Sequence, residues 1–414
     1  MPSTPKAYKV IDIADSHVGG GVIGCSIAYY LTHHQGYDPN AHQVVILEAC
    51  QIAGAASGKA GGFVGAWATP KCMAKLSYDL HAELARKYDG EKSWGYRKCS
   101  GWDTKWKADT VSRVQANKTS NVSDHSVESA KSESPPGVEF LRPDVVAEYG
   151  PLGKPEDSTQ VNPFLFTSEL AKLAKDKGAQ IIIGKAESLN YAPNGQRISS
   201  VTFTRFGVQH VHDATDVIVA AGPWTTRLLP NLRLGTPRSH SIVVRCPATL
   251  SPNIIFPVYD QENSTSQTNG TYPEIYPRPR DVLRDYPTVY TCGPDDYELE
   301  LPETSDKVEV SLSLVGELRT ALESVLLPEH MGDLVITQAC HKPQLRPHKE
   351  GEEVGPAVGP VEGIGGLWVA TGHDEWGVSN GPATGLIIAE MLFEGQSKSL
   401  DAGAEALKPS NFMN

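Results

Sequence analysis

The sequence predicts an α/β protein: a Rossmann-like nucleotide-binding domain assembled from discontinuous segments, with an α+β second part built on a large antiparallel or mixed sheet. Three observations carry this. A glycine-rich turn opens a helix, VGGGVIGCSIAYYLT at residues 18–32, and an apolar run ending in an acid, QVVILE, follows at residues 43–48. Another buried-strand pattern, DVIVAAG, lies mid-chain at residues 216–222, and a last ordered block runs from 334 to about 395. Between these pieces, residues 236–314 are rich in Pro and Tyr and alternate apolar with polar, the pattern of a separate antiparallel sheet.

Within the turn, Gly19, Gly21 and Gly24 stand at G-x-G-x-x-G spacing, and Ile23, Ile27 and Leu31 recur every four residues on one helix face. Cys25 and Ala28 are small enough for that helix to approach a sheet closely. In such a turn the first Gly permits the bend and the second lets backbone approach a pyrophosphate. The third lets helix and strand pack, and the diphosphate sits at the positive helix end. The pattern alone is weak; Glu48, 24 residues past Gly24, strengthens it by standing where an acid accepts ribose hydroxyls. Val22, Ile23 and Ala49 join this set of candidate contacts. The preceding strand is irregular, because residues 11–18 carry two aspartates and a histidine where a buried parallel strand reads as continuous Val and Ile. Either residues 9–13 form the strand and the next residues bulge, or the segment is damaged; both readings fit.

Composition narrows the function. A chain of 414 residues has room for about two domains, and its net charge of −12 argues against nucleic acid. No apolar run reaches the ~20 residues of a membrane span, and no secretory leader follows the first residues, so a cytoplasmic protein is expected. The seven cysteines are scattered with no C-x-x-C pair, as in a reduced compartment, and no metal is expected.

The small-residue stretch at 49–67 implies backbone lying close to something flat, either a ligand or another helix. A helix spans 71–88, with Leu76, Leu80 and Leu84 on one face. Residues 103–136 are polar and nearly free of large aliphatics, so they read as a disordered insertion. Asn162 and Pro163 start a helix that Gly178 stops. Residues 181–183 read as a short buried strand, 201–211 as antiparallel structure, and 314–327 as an amphipathic helix.

With its terminal blocks in view, the chain resembles the D-amino-acid-oxidase-like (DAO) family of FAD-dependent oxidoreductases, which includes glycine and sarcosine oxidases. The matching stretches are VGGGVIGCSIAYYL, VVILEA, GAASGKAGG, IVAAGPWT and, most specifically, GPAVGPVEGIGGLWVATGHDEWGVSNGPATGLIIAEML. AASGKAGG and PEIYPRP look nearest to a fungal branch. The resemblance implies FAD bound in extended form by residues 1–95, 160–235 and 335–414, with 96–159 and 236–334 forming the substrate domain. Gly19, Gly21 and Gly24 would hold the diphosphate and Glu48 the ribose. Ser57, Gly58, Lys59, Ala60, Gly61 and Gly62 would run beside the isoalloxazine ring. Ala221 and Gly222 would pass close to the cofactor, with Trp224 packing behind. Gly372, His373, Trp376 and Gly377 would meet the pyrimidine end, where a helix from about residue 381 would aim its positive end at the flavin.

Lys342, His373 and Trp376 are the candidate catalytic residues. Lys342 stands where glycine-oxidase-like relatives carry the arginine that clamps the substrate carboxylate, Arg346 is a rival for that part, and a surface lysine is the plain alternative. Cys340 falls where sarcosine-oxidase relatives bond covalently to the flavin, and a buried free thiol is its plain alternative. His341 and His373 either tune protonation or serve as structural hydrogen-bonding groups. Asp374 and Glu375 are acids where relatives often have small or neutral residues. The expected substrate is therefore an amino acid held weakly or an amine with no carboxylate, oxidised at its C–N bond with oxygen as acceptor. A flavin dehydrogenase with another acceptor, or a catalytically weak flavin-binding scaffold, is the alternative.

Overall fold

The computed structural model describes residues 9–13, 19–107, 133–257, 273–279, 284, 286–346, 354–400 and 402–414. A six-stranded sheet organises the first part, in the order 357–360, 367–371, 216–219, 9–13, 43–48 and 180–183. Its neighbours run parallel except for 357–360, which turns back antiparallel on 367–371. Lys9–Ile13 is central, with Ile11 in register with both Val45 and Val217. The irregular N-terminal segment thus contains a strand over residues 9–13; residues 14–18 lie outside the described ones.

Strand alternation explains how this sheet is covered on both faces. Val44 and Ile46 join the core beneath α1 (Val22–His33), whereas Val45 and Leu47 point the other way. α2 (Lys71–Lys87), α3 (Pro163–Asp176), α4 (Leu312–Val325) and α5 (Gly377–Glu394) are the other long helices. α1 packs between α3 and α5, and α2 lies against α5. Asn162 caps α3 by accepting from the Leu165 N–H, with Pro163 in the first turn as its sequence predicts. On the opposite face sits a three-stranded antiparallel sheet, residues 185–191, 198–205 and 208–213, which contributes Ala186, Ile198, Val201 and Phe203.

The second part is a seven-stranded sheet in the order 334–341, 238–245, 288–296, 274–277, 253–257, 100–106 and 146–153. It is antiparallel except where 253–257 runs parallel to 100–106. Ile242, Val244, Ile255, Ile275 and Val289 pack with Val315, Leu318, Leu322 and Val325 of α4. The alternate residues Val243, Ile254, Tyr276 and Tyr290 face the other way. That second face packs against Phe63, Trp67 and Trp376.

Several expectations are corrected. Asp103 to Trp106 do not belong to a disordered insertion: they end the strand Ser100–Trp106, with Thr104 and Trp106 buried. Residues 108–132 of that insertion lie outside the described ones. Gln180–Ile183 is an edge strand rather than a buried one, and Ile183 is 38% exposed. The domain boundary drawn at 335 falls inside Leu334–His341, an edge strand of the seven-stranded sheet. The last helix begins at Gly377, four residues before the expected start. Among the described residues no helix is long and apolar enough to cross a membrane.

Candidate functional site

A cavity of about 310 Å³ lies between the start of α1 and the second face of the seven-stranded sheet. Val22 and Ile23 reach it from α1, and Ser57, Lys59, Ala60, Gly61 and Gly62 from the segment after the second strand. Gly222, Cys340 and Lys342 line it as well, together with His373, Trp376 and Gly377. Gly19, Gly21, Gly24, Glu48 and Ala49 stand outside it, with the turn and the end of its partner strand. Gly58, Ala221, Trp224 and Gly372 are likewise behind its wall. Trp224 is fully buried, its Nε1–H donating to the Pro302 carbonyl at 2.7 Å, and Ala221 is buried beside it.

The turn is pinned by Glu48. Its Oε2 accepts from the Gly20 N–H at 3.2 Å and its Oε1 from the Cys50 N–H at 2.9 Å. A Cβ on Gly20 would stand 2.8 Å from Ile52 and 3.0 Å from Glu48, so backbone and acid touch only because the residue is glycine. Burial raises the Glu48 pKa to about 7, although backbone N–H groups of Cys50 and Gly20 pull against it. A buried carboxylate at the end of this strand, beside the glycine turn, suits ribose hydroxyls. At the start of α1 the Val22 N–H donates to Ser57 Oγ at 2.9 Å, and the first turn carries no acid, which leaves the helix end electropositive.

The glycines at 58, 61 and 62 stand against other parts of the protein. A Cβ on Gly58 would lie 2.0 Å from the Ala53 carbonyl oxygen, and one on Gly62, at φ +92°, 2.1 Å from that of Val161. One on Gly61 would lie 2.5 Å from the Tyr276 ring. The flat neighbour that Gly61 accommodates is a tyrosine of the opposite sheet.

His373 is 4% exposed, and its tautomer follows from its partner. Thr384 Oγ1 gives its one proton to the Asn380 carbonyl, so His373 Nε2 must donate to Thr384, at 2.9 Å. Nδ1 is then a buried acceptor with no hydrogen-bond partner among the described residues. Burial pushes the His373 pKa down to about 3, so the ring is neutral. Trp376 stands edge-on to Trp67, ring centres 5.8 Å apart. His341 is structural: it donates from Nδ1 to the Thr236 carbonyl at 2.7 Å.

Lys342 is neither a surface lysine nor a free clamp. Its side chain is 13% exposed, and Nζ lies 2.9 Å from Asp295 Oδ2, 2.9 Å from Glu375 Oε1 and 3.9 Å from Asp374 Oδ1. Burial would lower its pKa, but Glu375, Asp295 and Asp374 override this and hold it well above the ordinary value. Arg346 is exposed and does not line the cavity. Burial raises the Cys340 thiol, against the pull of Lys59 and Lys342.

Sequence reasoning missed Glu274, Tyr276, Tyr290 and Cys292, all of which line the cavity. The signal was present in the alternation of the strand Glu274–Pro277, where Ile275 is core and its neighbours must face the other way.

Buried acceptors at Glu48 and His373, an acid-free helix start and a glycine-bordered cavity fit an extended flavin dinucleotide. Comparison with known proteins agrees. A Schizosaccharomyces pombe protein, itself assigned as an oxidoreductase by inference, is 30% identical over 408 residues, 95% of this chain and 96% of the relative. The crystal structure of glycine oxidase from Geobacillus kaustophilus superposes with a TM-score of 0.66 at 18% identity, covering 99% of both chains. L-proline dehydrogenase from P. horikoshii gives a TM-score of 0.65 at 15% identity, over 99% of this chain and 98% of that one. The family model described as FAD dependent oxidoreductase (DAO) matches residues 18–391, and the chain belongs to that family.

Proposed function

We propose that this protein oxidises the C–N bond of an amine or amino acid. The observation that carries this reading is a cavity bordered both by the start of the helix after the glycine turn and by polar side chains of the seven-stranded sheet, so that cofactor and small substrate could share one space. Bound FAD supplies the hydride acceptor at N5, with oxygen as its reoxidant to give hydrogen peroxide, while the imine product hydrolyses in water.

The chain's own residues bind, orient and exclude water. In this reading Gly19, Gly21 and Gly24 admit the diphosphate, Val22 and Ile23 present the positive end of α1, and Glu48 with Ala49 receives the ribose. Ser57 to Gly62 flank the ring, Ala221 and Gly222 pass near it with Trp224 behind, and Gly372 and Gly377 close the far end. His373, neutral with a bare Nδ1, accepts a hydrogen bond and cannot protonate an amine whose lone pair must drive hydride loss. Trp376, Trp67, Phe256 and Tyr276 wall the space.

The absorbance spectrum of the purified protein, before and after acid precipitation, tests the reading. A flavin spectrum is expected, with the colour released into the supernatant, because a Cys340 thiol raised by burial is a poor nucleophile toward the flavin. A colourless protein that takes up no FAD contradicts the proposal, and colour retained in the precipitate contradicts the non-covalent form.

A further inference from the structure

The cavity's ionisable walls do not suit a carboxylate. Lys59 and Lys342 are its lysines, and Glu274, Asp374 and Glu375 are its acids; Asp295 adds a fourth carboxylate through Lys342. Two positive against four negative groups leave a formal charge of −2 around this space. Of these two lysines, Lys342 is already ion-paired, and Lys59 has one N–H committed to a carbonyl. Lys342 sits among Asp295, Glu375 and Asp374, and Lys59 Nζ donates to the Ala339 carbonyl at 2.9 Å. A substrate carboxylate seeking Lys342 would have to displace a protein carboxylate, and near Glu274, Asp374 and Glu375 it would be desolvated beside like charges.

Glu274 is the acid best placed to meet a ligand. Its backbone is fixed in the strand Glu274–Pro277, opposite Cys292 and under the Thr291 hydroxyl, which donates to the Glu274 carbonyl at 2.6 Å. Tyr276 Oη donates to Oε2 at 2.6 Å, and the Cys292 thiol donates to the same oxygen at 3.3 Å. Among the described residues Oε1 has no such donor and is left to the cavity the residue lines. Burial raises the Glu274 pKa, a carboxylate short of positive partners.

We propose that this cavity selects amines lacking a carboxylate, and that Glu274 Oε1 accepts a hydrogen bond from the substrate's N–H. The inference rests on the reading of the cavity as the site of amine oxidation and names its substrate class. Tyr276 and Cys292 occupy the other oxygen and so aim Oε1 at the ligand, while Lys342 keeps Asp295, Asp374 and Glu375 from collapsing onto it.

The test is anaerobic titration of the flavin-loaded protein, following perturbation of the visible flavin band by matched pairs: phenethylamine against phenylalanine, cadaverine against lysine, and dimethylamine against sarcosine. In at least one pair the amine is expected to bind at least tenfold tighter than its carboxylated partner. Glu274→Gln is expected to weaken that amine at least tenfold while keeping its flavin. If the variant does not fold, the pair comparison on the wild-type protein decides alone. Preference for the carboxylated member in every pair, no binding by any amine, or an unchanged amine Kd in Glu274→Gln overturns the inference. Bleaching by the carboxylated members alone sinks this inference and leaves amino-acid oxidation standing. Tight amine binding with no bleaching does the reverse, supporting the binding class and sinking the oxidation.

Discussion

At the scale of single residues, burial decides which ionisable groups matter. His81 is fully buried, packs tilted against Phe166 with ring centres 4.7 Å apart, and donates from Nε2 to the Val378 carbonyl at the start of α5. Burial lowers its pKa to about 4. The unfolded chain, with an ordinary histidine near 6.5, therefore binds the proton first on acidification. The stability His81 contributes is full above that value and is lost as pH falls toward 4. The stability difference between wild type and His81→Gln should shrink by about 2 kcal/mol between pH 6.5 and 5, read from urea denaturation. A constant difference would mean that His81 titrates normally. Lys342 gives a second test, because Lys342→Met strands Asp295 beside Asp374 and Glu375. The variant should lose about 2–3 kcal/mol of stability, less than a fully buried pair because Glu375 is 63% exposed, whereas Arg346→Met should lose almost none. Equal losses would mean that the cluster is not holding the strand Leu334–His341. The residue types at 342, 374 and 375 were legible in the sequence, but their partnership was not, since Asp295 comes from another strand and only the fold brings it to 2.9 Å.

Among elements, the contact between α1 and α5 sets the geometry of the site, because both helices begin at the cavity through Val22 and Gly377. Glycines on α5 let them approach. A Cβ on Gly385 would meet the Ser26 backbone at 2.6 Å, and one on Gly381 would meet Ser26 Oγ and Val22 at 3.1 Å. Gly385→Ala should cost roughly 1–3 kcal/mol, because the clash is with backbone that cannot rotate away, and should weaken FAD retention. Unchanged melting and full flavin loading would mean that the helices are not held as closely as the structure shows. The glycine turn, α1 and the acid-terminated strand were legible because their reasons are local: periodicity, small residues and a fixed spacing. α5 starts at Gly377, four residues before the start near 381 that the resemblance implies, and Pro382 sits inside it near its N-terminal end. The three-residue apolar run at 181–183 looked buried because composition does not say which strand of a sheet has only one neighbour.

At the scale of the whole molecule, two sheets meet across a cavity, one bringing the glycine turn and its helix and the other a polar wall. The two-part α/β architecture and the family were legible, since strand patterns recur at the chain's ends and middle. The wall was not. Glu274, Tyr276 and Cys292 come from two strands, and their meeting depends on the pairing Glu274↔Cys292, which no local pattern specifies. Asp103 to Trp106 were misplaced for a similar reason: a polar strand is stabilised by its neighbours, residues 253–257 and 146–153, rather than by its own composition. The claim that this cavity is a flavin-dependent amine-oxidising site is tested most directly by adding amines and amino acids to the yellow protein without oxygen and following its visible flavin band. The account predicts that at least one bleaches the band fully and that admitting oxygen restores it with hydrogen peroxide formed. A flavin-loaded protein bleached by none of them would contradict it.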